Sequence, residues 1–258
     1  MTNAQNRVPE LRIGCSGWNY KSWRGRFYPA GLAPAHWLPF YATVFDTVEA
    51  NGTFYKLPEK KTFAKWAAAT PPGFVVAVKA SRYLTHLKRL LEPEEPLHRL
   101  LTHARGLGSQ LGPVLYQLPP QLRRDHARLD RFVRGLPRRL PGRGAPRLRH
   151  VIEFRDPSWY VEDTFALLAE HDVSLCLHDK QGSALTGPLV GPAVYVRFHG
   201  TSGNYHGGYG RTALDAWARR LVTAWRDGRD VYAYFNNDPD AVATRNAQSL
   251  KRRIAALQ

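Results

Sequence analysis

The stretch VIEFR, Val151 to Arg155, decides how this chain is read. Side chains alternate faces along a strand, so Val151, Glu153 and Arg155 share one face, and Ile152 and Phe154 share the other. The second face is apolar throughout. The first begins apolar and turns charged toward its C-terminal end. A strand buried on both faces, with charge gathered at one end, suits a sheet whose ligand chemistry sits at that end.

Seven further runs resemble it. In order the eight are LRIGC, TVEAN, FVVAVKA, GPVLYQL, HVIEF, VSLCLH, AVYVRFH and VYAYFN, short and rich in β-branched or aromatic residues. Helix-like segments lie between them, including PEKKTFAKWAAAT, DHARLDRFVRGL, VEDTFALLAEH and RTALDAWARRLVTAWRDG. In the last, Leu214, Trp217, Ala218, Leu221 and Val222 fall at helical spacing. Strands alternating with helices imply a parallel sheet, and eight units in 258 residues fit an α/β fold, a single (β/α)8 TIM-type barrel. The expected irregularity is at strand six, where HDKQGSALTGP reads as loop. A doubly wound open sheet is the competing topology, but GCSGWNY after the first strand lacks the GxGxxG phosphate turn. Residues 1–10 read as a polar tail and 11–258 as one barrel domain, with LPRRLPGRGAPRLRH as an insertion before strand five.

A hydrophobic fraction of 43% and an aromatic fraction of 12% belong to a folded protein. The polar opening has no secretory h-region and no apolar run is long enough for a membrane span, so a cytoplasmic location is the default expectation and no membrane partner is expected. Cys15 and Cys176 each sit in a strand and read as buried free thiols. The net charge of +16 favours polyanionic partners, nucleic acid or a phosphate-containing ligand first.

Polar residues collect at the C-terminal strand ends, where barrel sites lie. They are Glu49 and Asn51 on strand two, Lys79 on three, Gln117 on four and Glu153 with Arg155 on five. His178 and Asp179 end strand six, Arg197 and His199 strand seven, and Asn236, Asn237 and Asp238 strand eight. Five of these, Glu153, Arg155, Lys79, Arg197 and His199, share phase and strand-end position and are expected to converge in one pocket. The loops above carry aromatics interleaved with cations: Trp18, Tyr20 and Trp23 after strand one, Tyr55 after strand two, Tyr205 after strand seven. Such faces suit stacking on bases or on sugar rings; Trp18 and Trp23 suit a core role equally.

The motifs IGCSGWNYKSWRGRFYP, FDTVEANGTFYKLP, IEFRDPSW, YVRFHG and YAYFNND, in that order, resemble the YecE-like domain-of-unknown-function family from about Ile13 to the C-terminal helix. The resemblance implies a TIM-type barrel and carries no established activity. Likeness of that barrel to metal-dependent apurinic endonucleases suggests DNA binding by fold analogy alone. The motif residues it carries over are Ser16, Gly17, Trp18, Tyr20, Glu49, Asn51, Tyr55, Glu153, Arg155, His199, Asn236 and Asn237. Cys15 stands where a threonine is common.

The working expectation is a phosphate-directed barrel binding or hydrolysing nucleic acid, with hydrolysis of phosphoesters as the enzymatic form. Glu153, Arg155, His199, Lys79 and Asp179 are its catalytic candidates. Trp18, Tyr20, Glu49, Asn51, Tyr55, Gln117, Arg197, Asn236 and Asn237 are its ligand-binding candidates. The residues fix no cofactor; a single divalent metal ion on Glu153, His178, Asp179 and His199 is the lesser option, since inward cations would repel it. Two alternatives stay open: a metal-free enzyme for a small anion or sugar phosphate, with Glu153 or His199 as base, and a barrel that binds nucleic acid without cutting it. A glycosidase using Glu49 and Glu153 is disfavoured by the three inward cations. The arginine run from Arg123 to Arg149 is expected at the side and bottom of the barrel, a candidate for backbone contact or simply a solvated face.

Overall fold

The computed structural model describes residues 8–141, 147–180 and 187–258. All eight anticipated strands form: β1 (Leu11–Ser16), β2 (Thr47–Ala50), β3 (Val75–Lys79), β4 (Leu111–Gln117), β5 (His150–Glu153), β6 (Val173–His178), β7 (Ala193–Phe198) and β8 (Asp230–Phe235). They pair in parallel, in chain order, and β8 closes on β1. Alternation then divides the apolar residues into two cores. Val75, Ala77, Leu115, Val151, Cys176, Tyr195, Tyr232 and Tyr234 fill the inside of the barrel. Ile152, Phe154, Val48, Val76 and Val196 face outward, into the layer between sheet and helices. Val151 and Ile152 lie in different cores, as their phase requires.

Seven helices cover the outside among the described residues: α1 (Trp37–Tyr41), α2 (Lys60–Ala68), α3 (Glu94–Ala104), α4 (His126–Arg134), α5 (Glu162–Glu170), α6 (Arg211–Arg226) and α7 (Val242–Ala255). The four quoted helix segments become α2, α4, α5 and α6. In α6, Leu214, Ala218, Leu221 and Val222 are buried as their spacing predicts. α4 starts where Asp125 accepts the Arg128 amide at 3.0 Å, an N-cap that satisfies one orphan donor. α3 was not anticipated from the sequence. Pro93 and Pro96 look like breakers, yet Pro93 is the N-cap and Pro96 sits in the first turn, where a missing N–H breaks no helical bond. Between β6 and β7 no helix occurs among the described residues; residues 181–186 of the expected loop lie outside them.

Two seams are irregular: β3–β4 shifts register between Val76 and Val78, and β1–β2 is short. β1 and β2 share only the Cys15–Val48 and Ser16–Glu49 pairings. Below these the Tyr41 hydroxyl bridges the strands, accepting from the Cys15 amide at 2.8 Å and donating to the Thr47 carbonyl at 3.0 Å. Both cysteines are buried free thiols, Cys15 in the outer core and Cys176 in the inner.

Candidate functional site

Four strands, β1, β2, β5 and β7, bring Ser16, Glu49, Glu153 and Arg197 together at the C-terminal end of the barrel, with Arg197 at the centre. The β7 guanidinium is 1% exposed and lies between two fully buried carboxylates. Its Nη2 donates to Glu49 Oε1 at 2.8 Å and its Nε to Oε2 at 3.0 Å, while Nη1 donates to Glu153 Oε2 at 2.8 Å. Glu49 also accepts from the Tyr195 hydroxyl at 2.6 Å and from Ser16 Oγ. Glu153 Oε1 accepts from Arg155 Nε, and the Cys176 thiol approaches Oε2 at 3.8 Å. Burial alone would raise both carboxyls. The arginines outweigh it, holding Glu153 well below the usual range and Glu49 below it.

The network continues through histidine. Arg155 Nη2 donates to His199 Nε2 at 3.3 Å, and His199 Nδ1 meets Asp179 Oδ1 at 3.3 Å. That oxygen also accepts the His199 backbone amide at 2.5 Å, and Tyr209 donates its hydroxyl to the other carboxylate oxygen. Burial pushes His199 down to about 4, so the ring is neutral, with its proton on Nδ1 facing Asp179 and a lone pair on Nε2 for Arg155. His178 is likewise lowered by burial, and its Nε2 lies 2.7 Å from the Phe154 carbonyl.

The five expected residues therefore do not line one pocket together. Glu153, Arg155, Arg197 and His199 form a packed ionic floor, joined by Glu49 and Asp179, with their polar atoms turned to one another. This corrects two assignments. Glu153 has both oxygens engaged by arginines and is no available base. Arg197 is neutralised on both sides and is no free ligand-binding residue. Glu49 and Glu153 share one guanidinium, an arrangement unlike two opposed glycosidase carboxylates. The suggested metal set of Glu153, His178, Asp179 and His199 does not assemble either. Among the described residues no three His, Cys, Asp or Glu side chains are grouped to hold a metal ion.

Above this floor opens a cavity of ≈ 590 Å³. Trp18, Tyr20, Tyr55, Trp66 and Tyr205 give it aromatic walls, Asn51 and Asn236 give it amides, and Lys56, Lys79 and Asp238 give it charge. Lys79, the last residue of β3, is nearly buried and stacks its Nζ on the Phe54 ring, 4.2 Å from the centroid. Burial, reinforced by Arg197, lowers its ammonium to about 7. Burial raises Asp238 to about 7 against the pull of Tyr20 and Arg197. The buried acceptors Asn51 Oδ1 and Asp238 Oδ1 have no hydrogen-bond partner.

Other expected site residues lie elsewhere. Asn237 is fully buried but out of phase with Asn236, and its Nδ2 donates to Gly207 O and Asn246 Oδ1 on the helix side. Gln117 pairs with Glu153 in the sheet and does not line the cavity. Trp23 is core, its Nε1 donating to the Asp238 carbonyl at 2.8 Å. Trp18 both lines the cavity and packs edge-on against Trp66 at 5.0 Å. Asp238, named at the end of strand eight but given no catalytic or ligand-binding role there, was recoverable by counting in twos from Tyr232 through Tyr234 and Asn236.

The family model described as a protein of unknown function, DUF72, matches residues 12–258. The chain belongs to the DUF72 family. It is similar to the UPF0759 protein YunF of Bacillus subtilis, 23% identical over 273 residues that cover 93% of each chain. A DUF72 crystal structure from Thermotoga maritima superposes with a TM-score of 0.81 at 25% identity, over 95% of this chain and 99% of that one. Another, from Enterococcus faecalis, gives 0.76 at 19% identity over 95% of each, which speaks for the fold alone. The DUF72 barrel and the motifs of the YecE-like resemblance, a naming variant of the same family, coincide along the chain.

Proposed function

We propose that this DUF72 barrel is an enzyme for a small, ring-bearing anion of sugar-phosphate or nucleotide size, bound in the mouth cavity. The observation that carries the reading is the lining. Lys79 and Asp238, each shifted to about 7, roughly offset one another, and Lys56 leaves the lining net positive, so the cavity favours an anion. Its aromatic walls offer flat faces to a ring. Asn51 Oδ1 and Asp238 Oδ1 need donors, which ligand hydroxyls supply. The volume lies within the roughly 300–1,000 Å³ range of ligand sites. Lys79 and Asp238, both titrating near neutrality, act as the acid–base pair.

Ribose 5-phosphate titrated into the protein tests this through tryptophan fluorescence, since Trp18 and Trp66 line the cavity. Saturable quenching, weakened about tenfold or more by Lys56→Ala, is expected from loss of a phosphate contact of the charge-assisted kind. No saturable response to ribose 5-phosphate would count against the reading. The net charge of +16 favours nucleic acid as a second reading, with Trp18, Tyr55 and Tyr205 as stacking faces. Anisotropy with a labelled oligonucleotide across a salt series distinguishes it: nucleic-acid binding falls log-linearly, by about 0.7 to 0.9 in slope per phosphate contact.

A further inference from the structure

We propose that Lys79 is a covalent catalyst whose Nζ forms an iminium with the carbonyl carbon of an aldehyde or ketone that also carries a phosphate or carboxylate. This rests on the reading of the mouth as a small-anion site and names its substrate as a carbonyl compound. A nucleophilic lysine needs a free lone pair, an approach to the ligand and a nearby acid. Lys79 has each. It lines the cavity, and no acceptor among the described residues takes a hydrogen bond from its Nζ, which rests on the Phe54 ring. The carboxylates in its field, Glu49 and Glu153, are committed to Arg197 and Arg155 and do not hold its proton. The cations in its field are Arg197 and Arg155. His86 stands behind Phe54 at 4.9 Å and is kept uncharged first by burial and then by Lys79 itself. With a pKa of about 7, roughly half the amine is neutral at pH 7; for an ordinary lysine the fraction is about 1 in 2,500.

The step balances without an outside oxidant or reductant. The Nζ lone pair forms a bond to the carbonyl carbon as the C=O π pair moves to oxygen. A proton passes from nitrogen to that oxygen, giving a carbinolamine. Asp238, in its protonated form, gives a second proton to the hydroxyl. Water leaves with the C–O pair, nitrogen's lone pair forms C=N, and the products are a protonated iminium, water and the Asp238 carboxylate. The iminium then draws electrons from the neighbouring carbon, labilising its C–H or C–C bond.

The test uses the full chain and pyridoxal 5′-phosphate, a ring-bearing aldehyde with a phosphate, trapped with sodium borohydride and mapped by peptide mass spectrometry. Reduced adduct at Lys79 is expected about a hundredfold faster than at exposed Lys65, from its larger neutral fraction less the lower nucleophilicity of a weaker base. The rate should peak near about pH 7, falling below it as Lys79 gains its proton and above it as Asp238 loses its own, and Asp238→Asn should slow it. Lys79→Arg, checked for folding by circular dichroism, should abolish that adduct and leave labelling of Lys65. Labelling of Lys79 no faster than Lys65 overturns the proposal. If ribose 5-phosphate still quenches tryptophan fluorescence in that case, only the covalent step fails; if it does not, the small-anion reading fails as well.

Discussion

Arg197 shows how one residue organises the barrel end. Removing a single partner from a buried ion network leaves uncompensated charge, which costs about 3–5 kcal/mol. Arg197→Met should therefore destabilise the protein by about that much in urea titration, and Arg197→Lys should not restore it, because an ammonium cannot fork across Glu49 and Glu153. Adding Glu49→Gln and Glu153→Gln to Arg197→Met should recover much of the loss. Both carboxyls have depressed folded values, so their contribution is present above the unfolded carboxylate range, near 4.3, and is lost as pH falls through the folded values. Glu153→Gln should flatten the acid limb of a stability–pH curve; an unchanged limb would remove Glu153 from the account. Lys79 carries the opposite sign. Its folded value is lowered to about 7, so between about 7 and 10.4 the unfolded chain binds the extra proton and stability rises with pH. Lys79→Met should raise stability at pH 7 by a few kcal/mol and erase that rise, as thermal melts across pH 6–10 would show.

Among the elements, the β1–β2 seam is the tightest point. A Cβ on Gly14 would stand 2.3 Å from the Thr47 carbonyl and 2.9 Å from the Tyr41 hydroxyl. Neither can yield without breaking the bridge that replaces the missing ladder. Gly14→Ala should thus destabilise by about 2 kcal/mol or more, beyond its propensity effect; a neutral result in a denaturant titration would mean the seam can open. At the C-terminal strand ends the turn after β8 is strained, with Asp240 and Ala241 at φ 57° and 55°. Trp23 and the Arg26–Asp240 pair, 2.6 Å, brace this turn. Such strain is held by surrounding structure and is common where a turn aims a functional group; here the group is Asp238.

For the molecule as a whole, the arginine run is more committed than its charge suggested. Arg124, Arg128 and Arg134 pair with Asp163, Asp125 and Asp130, while Arg138 and Arg147 share Asp172. Arg143 lies outside the described residues. These solvated pairs each contribute about 0–1 kcal/mol. Arg149 differs. Only 17% exposed, it binds Glu10 and Asp230 at 2.9 and 2.8 Å and stacks on Tyr232, tying β5 to the β1–β8 closure. Closure joins residues some 220 positions apart, a costly non-local contact. Arg149→Met should lower stability by about 2–3 kcal/mol, while Arg134→Ala should change it by less than about 1; equal effects in thermal melts would refute the distinction.

The β/α alternation, the inner and outer faces of VIEFR, and the gathering of polar residues at strand ends were legible in the sequence, because residue period and composition carry that information locally. The same rule separates Asn236 and Asp238 from Asn237. Helix α3 was hidden because local breaker signals depend on position within a turn. What only the tertiary structure decided is which polar ends touch. Glu49, Glu153 and Arg197 come from strands far apart in sequence, and nothing local tells a free carboxylate from one locked to a guanidinium. Barrel closure brings them within hydrogen-bond reach and removes water, so their charges cancel into a floor. It leaves Lys79 and Asp238 facing the cavity with their proton affinities shifted by burial, a property of the assembled site and not of either residue.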